Sequence, residues 1–191
     1  MIKPIPLETL TRAIRGDRRA FQEIVEHHQS FAYSVAYRLV GNSADAEDIT
    51  QEAFIRLWRN MSKYRADIKL STWLYKIVTN LCLDFLKSPR TRRRKLNHDL
   101  DDANHVDSGL SPDVILHGNE LRTQIEKATA ELSPMQKAVF VLRDLEALTV
   151  EETCDVLSIN ADHVKSNLFH ARKKISQKLS AIYEIREPKN L

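Results

Sequence analysis

Apolar residues along this chain recur at intervals of three and four, the spacing that lines up one face of an α-helix. Phe21, Ile24, Val25, His28, Ala32, Val35, Ala36 and Leu39 form one such stripe, with Asp17 placed to cap its start and Gly41 its end. Asn42-Ser43 can cap a second helix, whose stripe is Ala46, Ile49, Ala53, Leu57 and Met61. After an irregular stretch from Ser62 to Lys69, a third helix carries Leu70, Trp73, Leu74, Ile77, Val78, Leu81 and Phe85. Three helices of this size enclose a small core, which places a first domain at residues 7–88.

Residues 89–111 break the pattern. Arg90, Arg92, Arg93, Arg94 and Lys95 are followed by Asp99, Asp101, Asp102 and Asp107, with few apolar residues between them. Such a segment cannot bury enough surface to fold, so it reads as a flexible linker. Beyond it, Ser111-Pro112 and Ser133-Pro134 each set a capping Ser before a Pro at the first helical position, and Gln136 completes a capping box in the second case. Thr149 and Glu152 form another. The stripes here are Leu121, Ile125, Ala128 and Leu132; Ala138, Val139, Leu142 and Leu145; Thr153, Val156 and Leu157; and Val164, Leu168, Ala171, Ile175, Leu179 and Ile182. A second domain is placed at residues 112–184.

The composition agrees with an all-α fold of two small helical domains. Only four glycines occur in 191 residues, each isolated, so neither a phosphate-binding loop nor a dinucleotide fingerprint can be written. The two cysteines, Cys82 and Cys154, lie inside apolar-periodic segments and read as buried free thiols. No run of about eighteen apolar residues exists, so no membrane span is expected. The start of the chain lacks the apolar stretch of a signal peptide, which points to the cytoplasm. Seven histidines show no zinc spacing with cysteine and no HExxH, so no metal or other cofactor, and no catalytic residue, is expected. A formal charge of +3, from 29 Lys+Arg against 26 Asp+Glu, leaves nucleic acid open, because distribution matters more than the sum.

Three constellations stand out. Thr149 to Leu157, then Ser158-Ile159-Asn160, then a longer helix from about Ala161 has the helix-turn-helix layout. The usual Gly of the turn is absent, and Asn160 can supply the cap. From Ala161 to Lys178 the cations are Lys165, Arg172, Lys173, Lys174 and Lys178 against one acid, Asp162; from Asp144 to Asp155 there are five acids and no base. That polarity suits a helix laid against phosphate, although charge alone equally describes a solvated face. The second constellation is Asp45, Glu47, Asp48, Gln51 and Glu52 with Phe54, Ile55 and Trp58, apolar side chains left partly off the core face beside a row of carboxylates. It suggests a protein interface, or else a helix buried on two sides. The third, Ser62 to Asn80, interleaves Tyr64, Trp73 and Tyr75 with Lys, Arg and Asn, as a stacking platform for unpaired bases would; Trp73 could also be plain core.

Together these blocks resemble a bacterial RNA polymerase sigma factor of the extracytoplasmic-function group. The matching stretches are Asp45–Arg59, Ser71 through Asn80, and Leu132–Gln136 through Lys174. The resemblance implies two helical domains, region two and region four, and promoter recognition without catalysis. It implies that Asp45, Asp48, Gln51, Glu52 and Phe54 dock on the clamp helices of the polymerase β′ subunit, with the β flap as a further contact of the core enzyme. It also implies that Tyr64, Arg65, Lys69, Ser71, Lys76 and Asn80 capture a flipped base of the minus-ten element. Lys165, Ser166, Asn167, Phe169, His170, Arg172 and Lys173 would meet the minus-thirty-five element. An anti-sigma factor is the implied regulator. The chain departs from the pattern at Asn167 and His170, where relatives often carry Arg, and at Cys154, where a small Ala is common. A dimeric helix-turn-helix regulator with a helical N-terminal domain is the competing reading. It would bind a palindromic operator without polymerase.

Overall fold

The structure, a computed structural model, describes residues 5–64, 68–88, 128–129 and 131–186, with side chains through residue 180. The linker at 89–111, Arg65, and most of the helix expected after Ser111-Pro112 lie outside the described residues, as does the side chain of Ile182. Among the described residues every regular element is helical.

The first domain contains α1 (Leu7–Ile14), α2 (Arg18–Val40), α3 (Ser43–Asn60) and α4 (Leu70–Lys87), with a 3₁₀ turn at Met61–Lys63. The expected boundaries are set by the expected caps. The Asp17 carboxylate accepts the Arg19 and Ala20 N–H groups, and the Arg12 guanidinium beside it holds its carboxyl below the ordinary value. Gly41 ends α2 in the left-handed conformation at φ 75°, and Asn42 accepts the Asp45 N–H at 3.0 Å to start α3. Helix α1 was not expected from the periodicity; at eight residues it is too short to show two turns of pattern, yet it buries Thr9, Leu10 and Ala13.

Ile24, Val35 and Leu39 of α2 meet Leu57 of α3 and Leu74 and Val78 of α4 in the centre of the bundle. Truncating Leu57, which is fully buried, to Ala would cost about 2–5 kcal/mol and loosen all three helices. His28 is buried in the same stripe with its Nδ1 3.0 Å from the Ile24 carbonyl, and burial pushes its pKa down. Cys82 is a fully buried thiol pushed up to about 12 by burial; Cys154 is half-buried, and both are free.

The second domain contains α5 (Pro134–Phe140), a π turn at Val141–Leu145, α6 (Val150–Leu157) and α7 (Ala161–Arg186). Both expected capping boxes are formed, Ser133 with Gln136 and Thr149 with Glu152. One expected core position is wrong. Leu145 is 44% exposed, because the π turn inserts an extra residue and rotates it off the inward face; Leu148, beyond Ala147 at φ 56°, is buried instead.

The two domains are packed on each other. Ala138, Val139, Val141, Leu142, Leu148, Val156 and Leu157 join the α2–α4 residues in one buried cluster, with α6 and α5 lying against α4. Ala128, Leu132, Phe140, Ala171 and Ile175 make a smaller core under α7.

Candidate nucleic-acid interface

Helix α7 is set against α6 by chemistry local to the turn. Ser158 takes the left-handed conformation at φ 55°, doing the work of the missing Gly, and the Ile159 N–H donates to the Cys154 carbonyl. Asn160 then accepts the His163 N–H at 2.9 Å, capping α7 as the sequence suggests. Val164, Ala171 and Ile175 are buried, with Leu168 and Leu179 half-buried, so the inward stripe is the expected one. Lys165, Ser166, Phe169, His170, Arg172 and Lys173 are exposed, and Asn167 is half-buried with its amide donating to the His163 carbonyl. Phe169 is 63% exposed, unusual for an aromatic, with its ring 5.5 Å from that of His170.

Charge on this face is partly spoken for. Asp144 grips Arg172 through Nε at 2.8 Å and Nη2 at 2.6 Å, which raises the guanidinium pKa. Lys178 pairs with Glu131 at 2.6 Å, and Lys174 lies 3.4 Å from the Gln136 amide oxygen. Lys165 and Lys173 make no ion pair among the described residues.

On α4, Lys69, Trp73, Lys76 and Asn80 recur at i, i+4, i+7 and i+11 and so share one stripe. Tyr64 stacks on Trp73 with ring centres 5.4 Å apart, and its hydroxyl donates to the Ile68 carbonyl at 2.5 Å. An aromatic pair flanked by Lys76 and an exposed Asn80 is an arrangement on which a base can stack and be read. Ser71 stands roughly half a turn from that stripe and is half-buried. Lys69 is already engaged, its ammonium 3.2 Å from Glu152 of α6.

On α3, Asp45, Asp48, Gln51 and Glu52 share a face about 120° wide. Asp48 and Gln51 are exposed, and Glu52 accepts from Arg56 at 2.7 Å. Phe54, expected partly off the core, is only 7% exposed; it forms the floor of a shallow groove with Arg18, Phe21, Ile55 and Trp58, where Trp58 packs on Phe21 at 4.8 Å. The apolar side chain that does share the carboxylate face is Ile55, at i+7 from Asp48 and i+4 from Gln51, and 44% exposed. Of the two neighbours expected off the core face, Ile55 therefore lies there and Phe54 does not.

Two family descriptions match, Sigma-70 region 2 over residues 24–93 and Sigma-70, region 4 over residues 122–175. The ECF RNA polymerase sigma factor SigW of Bacillus subtilis is 32% identical over 176 residues, which is 86% of this chain and 91% of that protein. This chain belongs to the extracytoplasmic-function group of RNA polymerase sigma factors. SigE of Mycolicibacterium smegmatis is 34% identical over 92% of this sigma factor and 68% of its own length, and the sigma-E factor of Escherichia coli K12 is 29% identical over 90% and 92%. The fold is that of CnrH, solved with the cytosolic domain of CnrY, at a TM-score of 0.64 and 22% identity over 91% of this chain and 96% of that one. It is also that of RpoE of Bartonella quintana, solved with the anti-sigma factor NepR, at a TM-score of 0.64 and 20% identity over 84% and 96%. Membership favours a promoter-directing sigma factor over a dimeric operator-binding regulator with the same helix-turn-helix.

Proposed function

We propose that this sigma factor binds core RNA polymerase through the carboxylate face of α3 and directs it to promoters that it reads with two separate surfaces, acting by binding and not by catalysis. Residues 7–88 carry the polymerase contact and the minus-ten contact: Tyr64 and Trp73 stack, Lys76 holds phosphate and Asn80 bonds a base edge. Residues 112–184 carry the minus-thirty-five contact. There Lys165 reaches guanine, Ser166 a base edge and Phe169 a thymine methyl. The observation that carries the reading is the capped helix-turn-helix, whose outward residues near the start of α7 are exposed while its inward stripe is buried. On the polymerase side, Asp45, Asp48, Gln51 and Glu52 steer a basic helical surface such as the β′ clamp helices, and Ile55 supplies burial. The groove floored by Phe54 continues that surface. The β flap is the expected second contact. Work of this kind takes place in the cytoplasm, and the complexes of CnrH and RpoE support a protein regulator of the anti-sigma kind for this chain as well.

The test is co-precipitation with core polymerase. Asp48→Arg together with Ile55→Ala should lose at least about 2 kcal/mol, roughly thirtyfold in Kd, with unchanged helicity by circular dichroism. Ile55 is the apt second site because truncating the buried Phe54 would cost the fold about 3–5 kcal/mol. Retention of polymerase by the double variant at wild-type level would overturn the α3 assignment.

A further inference from the structure

Successive residues of an α-helix stand about 100° apart, so the inward stripe of Val164, Leu168, Ala171 and Ile175 fixes where the other side chains of α7 point. Ser166, Phe169 and Lys173 stand opposite that stripe, and all three are exposed. Two flanks remain, and they differ in chemistry. One carries Lys165 and Arg172. The other carries His163 and His170, seven positions apart and so in line along the helix, with Lys174 one turn further on. Both imidazoles are exposed, and neither makes an ion pair among the described residues. The Phe169 ring meets that of His170 edge to face, 5.5 Å apart, which sets the imidazole beside the outermost part of the helix. Asn167, on the same side, donates its amide to the His163 carbonyl at 2.8 Å, within the helix. The carboxylates on the elements around α7 are largely engaged elsewhere: Asp144 holds Arg172, Glu131 holds Lys178, Glu146 holds Arg38 and Glu152 holds Lys69. Glu151 and Asp155 of α6 are exposed and pair with neither histidine, as does Asp162 of α7 itself; the cations on the packed elements are Lys137 of α5 and Arg143 of the π turn.

We propose that His163, His170 and Lys174 form a second phosphate-binding flank of α7, one whose charge, and with it the DNA affinity of the chain, rises as pH falls through the histidine range. The inference rests on the proposed seating of α7 in the major groove, and it adds His163 and Lys174 to the DNA contacts of that helix. The groove is about 12 Å wide, and a helix with its side chains is about 10–12 Å across. A helix that points Ser166 and Phe169 at base edges therefore brings both flanks to the sugar-phosphate strands. His163 and His170 stand about 10.5 Å apart along the axis at about 1.5 Å per residue, too far to share one phosphate, so each takes its own. Imidazole is the side chain whose charge changes near neutral pH, and an anion beside it favours the charged form. DNA therefore binds the protonated chain more tightly. This part of the affinity is full below the histidine range and is lost as pH rises through it. In about 0.15 M salt each phosphate neutralised adds about fivefold through counterion release, so the two imidazoles give up to about thirtyfold. The lysine and arginine of the opposite flank give no such dependence.

The test is fluorescence anisotropy of the full chain on two duplexes, one that it selects from a random library at about pH 8 and one of scrambled sequence. Both are titrated at about pH 8 and about pH 6, at several salt concentrations. The wild type should tighten about 5- to 30-fold at the lower pH on both duplexes alike, and its slope of log K against log salt should steepen by about 1–2. His163→Gln combined with His170→Gln should lose that gain. His163→Lys combined with His170→Lys, charged at both pH values, should bind at the higher pH as tightly as the wild type does at the lower, which a merely structural role would not give. Circular dichroism checks folding; both positions are exposed, and Gln and Lys are good helix formers. An undiminished gain in the double Gln variant overturns the flank. A gain confined to the selected duplex also overturns it, because the histidines would then read bases and not hold phosphate. The ratio of the two duplexes at the higher pH tests promoter reading by itself: a ratio of one refutes base reading by α7, while the pH gain still decides the flank.

Discussion

Replacing Lys165 and Arg172 of α7 by Ala, separately, should give two different kinds of loss. Lys165 sits on the first turns, is exposed, and makes no ion pair among the described residues. If it donates to guanine O6 or N7, its removal costs about 1–3 kcal/mol, or about 5- to 150-fold, on the preferred minus-thirty-five sequence and much less on a mismatched one. Arg172 lies further along and is clamped by Asp144 on its Nε edge, so two of its five N–H donors are taken and the opposite edge is left for DNA. A donor in that position meets phosphate and not a base edge, and its loss should weaken all sequences alike.

The salt dependence follows from the same contacts. Of the five cations between Lys165 and Lys178, Arg172 and Lys178 have carboxylate partners, which leaves Lys165, Lys173 and Lys174 to displace counterions. Three neutralised phosphates give a slope of log K against log salt of about −2.7, and a shared Arg172 takes it toward about −3.6. Arg172→Ala should therefore reduce the slope by about one unit. Its effect on the fold should be small, since the pair is exposed on the Arg172 side at 59%, and such pairs contribute about 1 kcal/mol or less. The assay is fluorescence anisotropy on matched and mismatched duplexes at several salt concentrations, with the full chain alone and with core polymerase. Equal losses of Lys165→Ala on both duplexes would make Lys165 a phosphate contact. An unchanged slope in Arg172→Ala would reduce Arg172 to a structural partner of Asp144.

Asn80→Ala should reduce strand opening more than initial promoter binding, because an extruded base needs a bonding partner; permanganate footprints showing undiminished opening would refute this. Ser158→Gly should stabilise the chain by up to about 1 kcal/mol, since the left-handed conformation that Ser158 adopts costs a side chain more than Gly loses in entropy; urea denaturation reads it, and a lowered midpoint would contradict the argument. For His28, burial depresses the folded pKa, so the unfolded chain takes up the proton first. Its contribution is full above the ordinary value of about 6.5 and is lost as pH falls below it. His28→Gln cannot titrate, and its urea midpoint should fall less than that of the wild type between about pH 7.5 and 5.5; parallel curves would remove His28 from the account.

Much of the fold is legible because its signals are local. The Asp17 and Asn42 caps, the Gly41 stop, the two capping boxes and the stripe of α7 each involve residues within a few positions of one another, and each has the expected geometry. What could not be read is what depends on a single residue of phase or on a short length. Helix α1 has too few positions to establish a period. The π turn shifts Leu145 outward by one residue in a stretch whose spacing otherwise fits a plain helix. On α3 the carboxylates and the outward position of Ile55 are legible, but the place of Phe54 is not; an aromatic ring is the better core-filler in a small bundle, and it lies inside.

The acids between Asp144 and Asp155 are the instructive case. Their separation from the cations of α7 reads as a charge pattern arranged toward and away from phosphate, and α7 does present its cations outward. Repulsion from DNA, however, would be served by acids anywhere on the far side, with no need for particular partners. Three of the five have cations assigned to them: Asp144 holds Arg172, Glu146 holds Arg38, and Glu152 holds Lys69. Two of those cations belong to the other domain, 108 and 83 positions away, a distance over which no periodicity carries information. The same acidic run that makes the second domain legible as a DNA reader is therefore the part that fastens it to the first. A substitution there such as Glu152→Ala acts on two equilibria at once. It frays the α6 cap by about 1 kcal/mol and releases Lys69, so an unchanged promoter affinity could conceal opposing effects, which only separate measurements of stability and of compactness can divide.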